Sequence, residues 1–140
     1  MSLSVGDRLP ETTFYVLGEG GVETRRTSEI FAGRKVVFVG VPGAFTPTCH
    51  RNHLPGFVEN IDAIRERGAG EIVVMAVNDP HVLNAWAEAS GAKGRILFLS
   101  DGNAEFTRAA GLDSDRSASG MGVRAKRFAM IVEDGMVIRL

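Results

Sequence analysis

"KVVFVGVPGAFTPTCHRNHLPGFV", residues 35–58, runs an apolar β-branched stretch into a turn and then into a helix opening. Lys35 to Val41 has no polar alternation, the pattern of a strand buried on both faces. From Pro47 onward, Leu54, Phe57, Val58, Ile61 and Ile64 recur at three- and four-residue spacing, which predicts one apolar stripe on a helix ending near Gly68. The same alternation repeats downstream. "EIVVMAV" at 71–77 reads as a second buried strand. Asn78, Asp79 and Pro80 then open a helix through "VLNAWAEAS", closed by Gly91. "RILFLS" is a third strand, and Asp101 starts a short helix through "AEFTRAA" that stops at Gly111. A glycine- and serine-rich loop spans 111–122. Beyond it, "RFAMIV" and "MVIRL" flank the turn Glu133-Asp134-Gly135 as a hairpin. Upstream, "ETTFYVL" and "VETRRTS" form a hairpin across a glycine turn at 18–21.

Strands alternating with helices and ending in a hairpin specify an α/β fold, with a mixed central sheet flanked by helices. The order resembles the thioredoxin fold. No linker, repeat or low-complexity tract divides the chain, so residues 1–140 are expected to form a single domain. In the thioredoxin fold a helix ordinarily follows the last hairpin, whereas this sequence stops at Leu140 inside the final strand. Either residues beyond Leu140 have been removed or a neighbouring molecule covers that face.

Sixteen basic and seventeen acidic side chains leave a formal charge of -1. No field of that size holds a nucleic-acid backbone or an anionic membrane by counterion release. No run approaches the ~20 apolar residues of a membrane span, and "MSLSVGDRLPETTF" lacks a secretory leader pattern. A cytoplasmic protein is expected. The single cysteine, Cys49, cannot form an internal disulfide, so it is either a buried apolar residue or a working thiol.

The context favours the thiol. Thr46 and Pro47 suit the cap and first position of a helix, since the hydroxyl can accept a bond from a free N–H and proline has none to waste. Cys49 falls in the first turn, near unpaired amides and the positive end of the helix dipole. The dipole is worth about 0.3–2 kcal/mol, roughly one pKa unit on a thiol. Full ionisation therefore needs a second cation. An arginine at ~4 Å would add up to about 4 kcal/mol at an effective dielectric near 20.

Pro42, Thr46 and Cys49 compose P-x-x-x-T-x-x-C, and "VPGAFTPTCHRNHLPGFV" resembles the type-5, redoxin-like branch of the peroxiredoxins. The resemblance extends through "VNDPHVLNAW" at 77–86 and "RAKRFAMIVEDG" at 124–135. It implies that Cys49 is the peroxidatic thiolate, Thr46 bonds the peroxide and the sulfur, and Pro42 shields the sulfenic acid from solvent. The family arginine maps to Arg127, which alternation groups with Ala129 and Ile131 on one strand face. Arg124 and Lys126 read as solvated charges. His53 matches a family histidine one helical turn after the cysteine, where an orienting role competes with a capping or surface one. His50 and His81 read as exposed.

Many peroxiredoxins carry a resolving cysteine, which this sequence lacks. The resemblance then implies a one-cysteine cycle, with glutathione, glutaredoxin or thioredoxin as external reductant, and a homodimer. No cofactor and no metal are expected, because one cysteine with scattered histidines has no ligand spacing. Trp86 reads as a core or interface anchor. Two other functions remain open on the residues alone. One is a redox sensor without turnover; the other is a cysteine hydrolase using Cys49 and His53, which lacks an orienting acid and gives Arg127 no purpose.

Overall fold

The computed structural model describes residues 3–46, 60–66, 68 and 70–140. The N-terminal hairpin is present as β1 (Thr13–Gly18) and β2 (Gly21–Arg26). A short helix α1 (Thr27–Phe31) follows, then β3 (Lys35–Gly40), α2 (Ile61–Glu66), β4 (Glu71–Ala76) and α3 (Pro80–Ala89). The remainder is β5 (Leu97–Ser100), α4 (Glu105–Ala109), β6 (Asp113–Asp115), β7 (Val123–Ala125), β8 (Phe128–Glu133) and β9 (Met136–Arg139).

Seven strands form one sheet in the order β2-β1-β5-β4-β3-β8-β9. β3, β4 and β5 pair in parallel, and the outer pairings are antiparallel, so the sheet is mixed as the alternation predicted. The strands that read as continuous apolar runs, β3 and β4, occupy central positions. There they have a core on each side. On β4, Val73 and Met75 face Phe14, Phe31, Phe38 and Phe106, while Ile72, Val74 and Ala76 face Leu83, Trp86 and Ile61. The aromatic side of the core is a chain of ring contacts: Phe31–Phe38 at 5.0 Å, Phe14–Phe106 at 5.3 Å and Phe38–Phe106 at 5.5 Å. Each such side chain removed from water stabilises the fold by about 1.5–3 kcal/mol.

Local signals set the helix ends. In α3 the Asp79 carboxylate accepts the Val82 N–H at 3.0 Å and Pro80 occupies the first turn. Leu83, Trp86 and Ala87 make its buried stripe. Asp101 does start α4, but through burial rather than at the cap position. Its carboxylate accepts N–H bonds from Phe106 (3.1 Å) and Thr107 (2.8 Å) and the Thr107 hydroxyl at 2.6 Å, with only 1% of the residue exposed. Burial pushes this carboxyl above its ordinary value, against those bonds.

Two elements differ from the sequence reading. Thr27 and Ser28 do not extend β2; they begin α1, where Glu29 accepts the Arg26 N–H at 3.1 Å. Five residues are too few for a helical period to register. Within the expected loop at 111–122 stands β6, which pairs antiparallel with β7 just beyond it as a separate ribbon, across the turn at Ser117–Ser119. Asp-Ser-Asp has poor strand propensity, and only the pairing makes it a strand.

Candidate active site

β3 delivers the chain to one edge of the site. Its ladder with β8 ends at the pair Gly40↔Phe128, and Val41 adds one further bond, its N–H donating to the Met75 carbonyl at 3.0 Å. Pro42 has no N–H with which to continue. From Pro42 to Thr46 the backbone is held by side chains. The Pro42 carbonyl accepts Arg124 Nη1 at 3.1 Å, the Ala44 N–H donates to Asn78 Oδ1 at 2.9 Å, and Thr46 Oγ1 donates to the Gly43 carbonyl at 2.8 Å. Pro42 and Gly43 are buried, and Thr46 is half-buried. Phe45 takes a left-handed backbone, φ 61°, and its ring lies 6.4 Å from that of Trp86. Such a conformation costs about 1–3 kcal/mol in a residue with a side chain, which the surrounding contacts must offset.

Thr46 thus uses its hydroxyl proton on Gly43, and its oxygen retains lone pairs for an incoming donor. The helix expected from Pro47, and with it Cys49, His50 and His53, lies outside the described residues. The described part of that stretch is α2, where Ile61 is buried and the Gly68 N–H closes on the Arg65 carbonyl at 3.0 Å.

β8 delivers the second edge. The strand begins at Phe128, so Arg127 stands one residue before it, exposed, in the connection from β7. It is level with Val41, where the loop leaves β3. Ala129 and Ile131, with which alternation groups Arg127, stand opposite Val39 and Val37 on the face that packs Ile61 of α2. His81 is exposed.

Two residues of the loop's surroundings have roles other than those read from the sequence. Arg124 is no solvated charge. It is half-buried, with Nε donating to the Met121 carbonyl at 2.9 Å and Nη1 donating to Pro42. Nothing in the local sequence "VRAKR", residues 123–127, separates it from Lys126, since the difference lies in a partner 82 residues away. Asn78, read as part of a helix opening, leaves the capping to Asp79 and turns its amide oxygen to the loop. Its own carbonyl accepts the Ser100 hydroxyl at 2.5 Å.

The β3–β8 register therefore brings the P-x-x-x-T loop and the segment before β8 to the same end of the sheet, with the Arg124 guanidinium and the Asn78 amide oxygen holding the loop backbone. The sequence matches the Redoxin family model over residues 4–140. A solved structure of reduced Prx3 with H2O2 from Vibrio vulnificus superposes with a TM-score of 0.93 at 43% identity, covering 97% of this chain and 85% of that one. The chain belongs to the peroxiredoxin family. Plasmodium falciparum antioxidant protein, described as a 1-Cys peroxiredoxin, superposes with a TM-score of 0.91 at 31% identity, covering 98% of this peroxiredoxin and 82% of that chain. Chloroplastic peroxiredoxin-2E-2 of Oryza sativa subsp. japonica is 43% identical over 141 residues, 97% of this chain and 63% of that protein. Mitochondrial peroxiredoxin-2F of Arabidopsis thaliana is 42% identical over 114 residues, 81% of this chain and 57% of that protein. This peroxiredoxin spans about three-fifths of the length of those two plant relatives.

The names correct the expectation of a cytoplasmic protein, because similar peroxiredoxins are chloroplastic and mitochondrial. Charge balance and short apolar runs describe how a domain meets water and carry no address. Among the described residues no helix is long and apolar enough to cross a membrane. The thioredoxin-like fold stands as expected.

Proposed function

We propose that this peroxiredoxin is a thiol-dependent peroxidase that reduces hydrogen peroxide and organic hydroperoxides at Cys49. The Cys49 thiolate attacks the terminal peroxide oxygen, the O–O bond breaks, and the departing alkoxide or hydroxide takes a proton to leave as alcohol or water. Cysteine sulfenic acid remains. An external thiol, from glutathione, glutaredoxin or thioredoxin, condenses with it and releases water, and a second thiol exchanges to return Cys49 and carry away a disulfide. Thr46 orients the peroxide and the sulfur, Pro42 keeps water from the sulfenic acid, and Arg127 supplies the cation that the dipole alone cannot replace. His53 orients this arrangement from one helical turn on. The working form is a homodimer.

The observation that carries this reading is the register of the sheet. Gly40 pairs with Phe128, so the loop of Pro42 and Thr46 and the segment of Arg127 leave neighbouring strands at the same end. A one-cysteine cycle is supported by the composition, a single cysteine in 140 residues, and by the likeness to a 1-Cys peroxiredoxin. A hydrolase would leave the guanidinium without a task.

Stopped-flow peroxide consumption, with glutathione, glutaredoxin and thioredoxin supplied in turn, tests it. Cys49→Ser should abolish turnover and Arg127→Ala should lower the peroxide rate by about a hundredfold. Mass spectrometry after one equivalent of peroxide should add one oxygen to Cys49, removed by thiol. Turnover that survives Cys49→Ser would overturn the proposal.

A further inference from the structure

We infer that Arg124 is a positioning residue for the peroxidatic loop, acting with Asn78 as a two-sided clamp on the peptide groups from Pro42 to Ala44. The inference rests on the peroxidase reading for its consequence, though not for its geometry. Between the last ladder bond at Val41 and Thr46, the described main-chain bonds of the loop run to side chains. Arg124 Nη1 holds the Pro42 carbonyl at 3.1 Å from one side, and Asn78 Oδ1 holds the Ala44 N–H at 2.9 Å from the other. Each clamp is itself anchored. Arg124 Nε is tied to the Met121 carbonyl at 2.9 Å, and the Asn78 carbonyl accepts the Ser100 hydroxyl.

Gly43 lies between the two grips, and its lack of a side chain is part of the design. A Cβ there would stand 2.6 Å from Arg124 Nη1 and 3.1 Å from Thr46 Cγ2, so any larger residue expels the guanidinium or shifts the threonine. Thr46 in turn bonds the Gly43 carbonyl. Displacing the guanidinium therefore moves the peptide on which Thr46 is oriented. A fork with two donors in fixed geometry can span the Pro42 and Met121 carbonyls at once, which a lysine ammonium on a flexible stem does not reproduce. The loop has paid for a left-handed Phe45, a conformation that persists only where the surroundings over-determine it, and the clamp supplies that constraint.

The test compares wild type with Arg124→Ala, Arg124→Lys and Asn78→Ala in the full chain, each first checked for native circular dichroism and thermal midpoint. Arg124→Ala should lower kcat/KM for hydrogen peroxide at least tenfold. Arg124→Lys, which keeps the charge and is the variant to compare if the alanine variant does not fold, should recover only part of that loss. In a Thr46→Val background Arg124→Ala should cost less than twofold more, because both changes disable one element; a purely structural role would add its full cost there. Amide hydrogen exchange at Ala44 should quicken at least tenfold in both Arg124→Ala and Asn78→Ala. A kcat/KM within twofold of wild type in Arg124→Ala, with Cys49→Ser inactive, overturns the positioning role and leaves the peroxidase reading intact. If the wild type shows no Cys49-dependent peroxide reduction, that reading fails instead. The clamp is then judged on Ala44 exchange alone, where unchanged protection in Arg124→Ala refutes it.

Discussion

Gly40 and Phe128 face each other across the β3–β8 ladder so closely that a Cβ at Gly40 would collide with the Phe128 ring. The same ring packs edge-on against Phe38 at 5.1 Å. The pair closes the sheet at the point where both site-bearing segments depart, and its fit sets how far apart they begin. Gly40→Ala should therefore destabilise the fold by about 1–3 kcal/mol, the usual cost of overpacking a filled interior. Urea denaturation measures it. The peroxide rate should fall as well, because the ring can yield only by shifting β8 or the start of the loop. An unchanged midpoint would mean that the ring rotates away without cost.

Trp86 links the core to the loop. It is fully buried, 5.7 Å from the Phe98 ring and 6.4 Å from Phe45. Trp86→Ala should cost about 3–5 kcal/mol, the range for emptying a large aromatic site. It should also slow peroxide consumption in the fraction that stays folded, since Phe45 loses the ring beneath it. Activity per folded molecule equal to wild type would show that Phe45 is held by other contacts.

Asp101 should give the protein an identifiable acid response. Burial holds its carboxyl above the ordinary value of 3.8 in spite of the bonds from Thr107 and Phe106. The folded state then binds more protons than the unfolded one across the window between that value and the raised one. The Asp101 contribution to stability is thus lost as pH rises through the raised value and regained as pH falls through it. Asp101→Asn does not titrate. Urea midpoints measured from pH 7 down to pH 3.5 should shift in favour of the wild type, relative to the variant, on acidification. A shift the other way would assign the dominant influence to the hydrogen bonds.

The β8–β9 turn offers a local control. Asp134 and Gly135 both have positive φ, 48° and 78°, the backbone of a tight two-residue hairpin turn. At Gly135 a Cβ would find Arg8 Nη1 no nearer than 3.6 Å, so space is not limiting. Gly135→Ala should cost about 1 kcal/mol from backbone conformation alone and leave the peroxide rate unchanged. A loss of several kcal/mol would reveal packing at the turn.

Much of this architecture was legible in residues 35–58 and in the segments read outward from them. An apolar run without alternation means a strand covered on both sides, and β3 and β4 are central for that reason. Asp79-Pro80 and the Asp134-Gly135 turn are local chemical statements, complete within a few residues. The P-x-x-x-T-x-x-C pattern is equally local, and together with the blocks at 77–86 and 124–135 it indicated the family. Less visible were α1, too short to show a period, and the β6–β7 ribbon, whose Asp-Ser-Asp strand exists only because Val123–Ala125 lies beside it.

The loop's surroundings belonged to tertiary structure altogether. Arg124, Lys126 and Arg127 are three cations in four positions, and their composition does not say that Arg124 holds the loop backbone. Sheet order decides it: β8 lies next to β3, Arg124 precedes it on β7, and the Pro42 carbonyl comes within 3.1 Å of its guanidinium. Periodicity and capping are encoded by neighbours along the chain, so sequence alone determined the central strands, α3, the two hairpins and the family signature. Which carbonyl meets which donor across 82 residues depends on how strands stack, and only the folded chain could settle that.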